Sequence, residues 1–158
     1  MSEMPAPGDV APAFSAIDQE GTAVDSAALA GKWTVIYFYP KDDTPGCTKE
    51  ACNFRDNYGA IAATGAKLLG VSGDSEASHK KFIAKYELPF PLLSDTSHEM
   101  AKSFGAWGLK KNYGREYEGM IRSTFIVGPD GTMAKVWKSV KPDVHGEQVL
   151  EWLQANAK

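Results

Sequence analysis

Both cysteines of this 158-residue chain, Cys47 and Cys52, sit in one stretch, YPKDDTPGCTKEACNFRD, running from Tyr39 to Asp56. Two thiols so close in sequence can do redox chemistry, ligate a metal, cross-link the fold or simply fill space as small hydrophobes. The residues before Cys47 favour the first. Thr44-Pro45-Gly46 reads as a helix start, with Thr as the cap and Pro preorganised for the first helical position. Cys47 then falls at the third helical position, where a capping box would carry Glu. A thiolate placed there meets unpaired backbone N–H groups at the positive end of the helix. Zinc would need four ligands at suitable spacing. The other soft donors, His79, His98 and His145, are scattered over separate segments and are expected as exposed helix or helix-start residues. No metal centre is therefore expected, and there is no CxxC pair of the usual dithiol oxidoreductase kind.

A helix from about Pro45 to Ala62 places Ala51, Phe54, Tyr58 and Ile61 on one apolar stripe at about 100° per residue. Cys47 falls near the middle of that stripe and faces the body of the protein. Cys52 lies roughly 140° away, with its Cα about 8–9 Å from that of Cys47. A disulfide requires less than about 7 Å, so the pair cannot bond while the helix is intact. Bonding would couple oxidation to unwinding of the first turns.

A lowered thiol pKa alone does not make a fast nucleophile. Dropping a thiol from about 8.5 to about 6 raises its thiolate fraction at neutral pH about 30-fold. The accompanying loss of nucleophilicity gives back roughly tenfold. A fast cysteine here therefore needs preorganised donors. Arg122, at the start of a strand, is the candidate cation, and Thr44 the candidate hydroxyl; the alternatives are a surface charge and a plain cap.

The elements that must carry these residues alternate. Continuous apolar runs at Trp33–Tyr39 and Ala66–Ser72 predict strands buried on both faces. Pro91–Asp95 predicts a short third strand. Arg122–Val127 and Thr132–Lys138 predict a hairpin closed by Gly128-Pro129-Asp130-Gly131. Helical patterns follow at Ser75–Glu87, after Thr96, and near the C-terminus from His145. The segment before Trp33 is read as irregular. The order β-α-β-α-β-α-β-β-α implies one α/β domain over residues 1–158, with a mixed central sheet, helices on both faces and a thioredoxin-like arrangement.

Composition narrows the function classes. Net charge is -3, with no Lys/Arg cluster beyond short pairs such as Lys110-Lys111, so no nucleic-acid partner is expected. No long apolar run predicts a membrane span. The N-terminal residues lack the pattern of a signal peptide, which with two cysteines predicts a reducing, cytoplasmic setting.

The stretch YPKDDTPGCTKEACNFRD resembles the active-site segment of peroxiredoxins, specifically the bacterioferritin-comigratory, or Q-type, subfamily. Pro40, Thr44 and Cys47 meet the family pattern Pro-x-x-x-Thr-x-x-Cys. GDVAPAF, GVSGDSEASHKKF, LPFPLLSD, KKNYGREYEGMIRSTFIV and PDGTMAKVW extend the resemblance from Gly8 to Leu153. It implies a cofactor-free thiol peroxidase of thioredoxin fold acting on hydrogen peroxide or alkyl hydroperoxides. It implies that Cys47 attacks the peroxide to give a sulfenic acid, which Cys52 resolves as an intramolecular disulfide after local unwinding; with no third cysteine, an outside thiol is the one alternative. Thioredoxin or a similar dithiol would then reduce that disulfide. Arg122 matches the arginine that supports thiolate and peroxide, and Thr44 the threonine that contacts the peroxide. Pro40, Gly46 and Glu50 match pocket residues, with Glu50 orienting the arginine. The resemblance also implies a monomer. The competing readings are a general thiol-disulfide exchange or redox-sensing protein, which the absent CxxC disfavours, and a non-catalytic thioredoxin-fold domain.

Overall fold

The computed structural model describes residues 4–112 and 114–157, the side chains of Lys111 and Asn112 excepted. Of the domain expected over 1–158, residues 1–3, 113 and 158 lie outside that description, as does the side chain of the Lys110-Lys111 pair's second member. The elements run β1 (Ser15–Ile17), β2 (Ala23–Asp25), a 3-10 turn (Ser26–Leu29), β3 (Thr34–Phe38), α1 (Pro45–Ala63), β4 (Lys67–Ser72), α2 (Glu76–Tyr86), β5 (Leu92–Ser94), α3 (Glu99–Ser103), β6 (Trp107–Asn112), β7 (Arg115–Met120), β8 (Ser123–Val127), β9 (Met133–Trp137) and α4 (His145–Asn156).

Seven strands form one mixed sheet in the order β2-β1-β5-β4-β3-β8-β9. β3, β4 and β5 run parallel, and the flanking strands are antiparallel. β3 is an interior strand, between β4 and β8, and its residues are all buried because both faces of the sheet are covered. Val35 and Tyr37 point into one core with Phe54, Ile61, Phe82, Val149 and Leu153, beneath α1, α2 and α4. Ile36 and Phe38 point into the other with Leu93, Met100, Phe104 and Phe125, beneath α3 and the N-terminal strands. A continuous apolar run is what such a strand needs, since no residue has a wet side. α1 and α4 approach closely at Gly146, where a Cβ would stand 2.7 Å from the backbone of Asn53.

The α/β expectation, the five predicted strands and the four helices hold to within a few residues. Two hairpins were not anticipated. β1 and β2 lie in the segment read as irregular; each is three residues long and mostly exposed, too short for a periodic signal. β6 and β7 form a separate two-stranded ribbon whose register pairs Trp107 with Met120 and Lys110 with Tyr117. β7 is polar and largely exposed, so no apolar alternation marks it.

Candidate active site

α1 starts where its sequence says it should. Thr44 is the cap residue with extended backbone, Pro45 opens the helix and the Thr44 carbonyl accepts from Thr48 N at 2.8 Å. Its side chain departs from the expected capping role: the hydroxyl donates to the Lys41 carbonyl at 2.9 Å and caps nothing. The first-turn N–H groups are thus left without a side-chain acceptor at the end where Cys47 lies.

Cys47 faces inward at 1% exposure and Cys52 sits half-buried on another face; both are free thiols. Arg122, immediately before β8, reaches across 75 residues of sequence. Its Nη2 donates to Cys47 Sγ at 3.2 Å and its Nη1 to Glu50 Oε1 at 2.6 Å. The β3–β8 register, which pairs Phe38 with Ser123, delivers Arg122 to the end of the sheet where α1 begins. Gly46 makes room, since a Cβ there would stand 3.2 Å from Arg122 Nη2. Cys47, Glu50, Gly46 and Arg122 therefore meet in one place.

Glu50 is fully buried, and its second oxygen, Oε2, finds no hydrogen-bond donor among the described residues. Burial pushes its carboxyl up to about 7, against the pull of Arg122. Burial opposes the charge on Arg122, but Glu50 and Cys47 outweigh it and hold the guanidinium above its ordinary pKa. Tyr37, buried with its hydroxyl unpartnered among the described residues, is raised well above its ordinary value by burial and then by Glu50 and Cys47.

Pro40 is exposed and lines a cavity of about 320 Å³ with Lys41, His98, Trp107, Lys110 and Met120. Neither Cys47 nor Arg122 lines that cavity. Lys110 was not singled out by sequence. It is half-buried, donates to the Met120 carbonyl at 2.8 Å, and is pushed down in pKa by burial and by Arg122.

A second buried polar constellation was also missed. Asp42, four residues into the loop after β3, accepts from Tyr39 Oη at 2.6 Å and Ser78 Oγ at 2.8 Å, and lies 2.7 Å from His79 Nδ1. His79 Nε2 stands 3.0 Å from the Leu93 carbonyl. Next to it, Asp43 adopts φ 55 and accepts from Lys85 and Tyr86 of α2, which hold its carboxyl below the ordinary range. These contacts tie the loop leading into α1 down onto α2. The expectation of exposed histidines is overturned for two of the three. His79 and His145 are both fully buried, His145 with its Nε2 2.8 Å from Thr124 Oγ1 and its pKa lowered by burial. Their partners lie 37 and 21 residues away, where local pattern gives no warning. His98 does begin α3, half-buried and stacked on Trp107 at 4.0 Å. Asp42, Asp74 and His79 also offer three atoms within 4.8 Å of one another, the one such group among the described residues. Donors within the protein already occupy that Asp42 and Asp74 oxygen.

Known proteins resemble this chain along most of its length. The AhpC/TSA family model matches residues 7–136. Peroxiredoxin Bcp of Bacillus subtilis (strain 168) is 45% identical over 147 residues, covering 93% of this chain and 94% of its own. Among solved structures, a cysteine-to-serine mutant of Xylella fastidiosa PrxQ superposes with a TM-score of 0.92 at 34% identity, covering 100% of both chains. Xanthomonas campestris bacterioferritin comigratory protein, solved as trapped intermediate and ligand complexes in a study of its alkyl peroxide reduction, superposes with a TM-score of 0.86 at 41% identity over 92% of each chain. The chain belongs to the AhpC/TSA family, in its Bcp, or Q-type, peroxiredoxin branch.

Proposed function

We propose that Cys47 is the thiol oxidised by this thiol-dependent peroxidase and that Arg122 is its electrostatic support. The observation that carries the assignment is the single guanidinium bonded to Cys47 Sγ at 3.2 Å and to Glu50 Oε1 at 2.6 Å. A preorganised cation beside sulfur stabilises charge where it moves during attack, the effect a lowered thiol pKa alone fails to supply. The thiolate attacks the peroxide O–O bond, an S–O bond forms, and an alcohol or water leaves after taking a proton. Thr44 Oγ1, already donating to Lys41, keeps lone pairs free to accept the peroxide O–H. Glu50 positions the guanidinium and Gly46 admits it, while Pro40 is kept as a pocket residue on the family resemblance alone.

Cys52 then attacks the sulfenic acid. Both thiols are free and face different sides of an intact α1, which supports unwinding as the step between oxidation and disulfide. Beyond Cys52, the helix is held by Phe54 in the core and by Arg55 Nη1 on the Tyr86 carbonyl at 2.8 Å. Unwinding therefore stops near those residues. A thioredoxin-like dithiol closes the cycle. The substrates are hydrogen peroxide and alkyl hydroperoxides, the latter by similarity to the Xanthomonas campestris protein. The monomer suffices because both thiols lie in one chain, and the reducing cytoplasm suits free cysteines. No helix of the described residues is long and apolar enough to cross a membrane.

The test is peroxide consumption with a dithiol reductant. The wild type turns over; Cys47→Ser does not. Full activity in Cys47→Ser would overturn the assignment.

A further inference from the structure

We propose that Glu50 carries a proton in the reduced site and surrenders it when Cys47 is oxidised, so that the carboxyl keeps charge balance around Arg122 through the redox step. This rests on the peroxidase reading of Cys47. Arg122 is the cation shared by two acidic groups, Cys47 Sγ and Glu50 Oε1. Glu50 is fully buried and Cys47 is 1% exposed, so water does little to screen the two from each other. Two anions in such a site cannot both be fully served by one guanidinium.

Glu50 Oε2 shows which partner yields. As a carboxylate oxygen it can only accept, yet no donor among the described residues reaches it. An unsolvated ionised oxygen costs far more to bury than a neutral one. The upward push on its carboxyl by burial agrees with this. The other groups around the site do not substitute for it. Tyr37 on β3 is buried, with its pKa held well above the ordinary value. Lys110 on β6 is committed to the Met120 carbonyl, and Asp42 to Tyr39 and Ser78, with His79 alongside. His145 on α4 is held by burial below its ordinary value, Arg122 adding to the shift.

The chemistry then balances within the site. Sulfur gives two electrons to the terminal peroxide oxygen, the O–O bond breaks, and the leaving alkoxide or hydroxide takes one proton. Loss of the thiolate charge leaves Arg122 with Glu50 alone, and the carboxyl releases one proton. Thiolate, neutral Glu50 and ROOH become sulfenic acid, Glu50 carboxylate and ROH, with no net proton drawn from solution. Were Glu50 ionised throughout, each oxidation would draw one. Condensation of the sulfenic acid with Cys52 releases water and leaves this count unchanged.

The test is rapid mixing of the reduced wild-type protein with one equivalent of hydrogen peroxide at slightly acid pH in light buffer. A pH indicator counts protons, and ultraviolet thiolate absorbance counts the thiolate lost. The proposal expects near-zero uptake per thiolate for the wild type and one proton for Glu50→Gln. It also expects an infrared difference spectrum in which a carboxylic-acid carbonyl band of the reduced wild type disappears on oxidation. That second readout needs no variant, so it stands if Glu50→Gln folds poorly. One proton consumed per thiolate in the wild type, or no such band, overturns the proposal. If no thiolate is lost at all, the peroxidase reading itself fails and takes this inference with it.

Discussion

Two buried constellations flank the start of α1, and they differ in how completely they are satisfied. Around Asp42, both carboxylate oxygens are engaged, by Tyr39 on one side and by Ser78 and His79 on the other, and His79 also meets the Leu93 carbonyl. Around Cys47, one arginine serves two acidic groups, the Glu50 Oε2 and Tyr37 hydroxyl find no partner among the described residues, and Thr44 declines to cap its helix. A satisfied network has nothing left to offer a substrate and serves to hold a loop still. An incompletely satisfied one retains donors and a buried charge for a reacting group to use. The first supports the second, because the loop from Pro40 to Thr44 is pinned before the helix that carries Cys47 begins.

The sharpest way to break the comparison is at the sulfur. Cys47→Ser should abolish peroxide consumption while leaving the melting temperature close to wild type, since serine nearly matches the volume. Arg122→Met should lower kcat/KM by about 10²–10³-fold, the usual cost of one preorganised donor, in a steady-state peroxide assay. The Asp42 network should respond in stability first. His79→Ala leaves Asp42 buried without its ring partner, and a loss of about 3–5 kcal/mol is expected by thermal or denaturant unfolding. Activity per folded molecule should fall less than in Arg122→Met; the reverse order would show that the two constellations are not divided as described.

A smaller effect concerns pH. Glu50 has its folded pKa raised from 4.5 to about 7, so its contribution to stability is fully present below the unfolded value and is lost as pH rises through that window. Glu50→Gln has no such titration. Its melting temperature relative to wild type should therefore climb as pH is raised from about 4.5 to about 7, by at most about 3 kcal/mol in stability. A difference that stays flat across that range would argue that Glu50 is ionised throughout.

What was legible in the sequence was what local physics decides. Thr44-Pro45-Gly46 marks the start of α1 and the apolar run at 33–39 marks β3, since a cap and a strand covered on both faces are written in consecutive residues. The position of Cys47 at the third helical residue follows from that start. The meeting of Arg122 with Cys47 across 75 residues does not; family resemblance supplied it, and the β3–β8 register explains it. The burial of His79 and His145 escaped because polar side chains read as exposed until their distant partners are known. Lys110 escaped for a related reason: the β6–β7 ribbon that carries it into the pocket has no apolar alternation to announce it.

The central claim is that Cys47 is oxidised by peroxide and reaches Cys52 only after α1 unwinds. Mass spectrometry of the reduced protein after one equivalent of hydrogen peroxide tests it most directly. The account predicts loss of two hydrogens and a single linked peptide pair joining Cys47 to Cys52. An unchanged mass, with both thiols still free to alkylate, would contradict it.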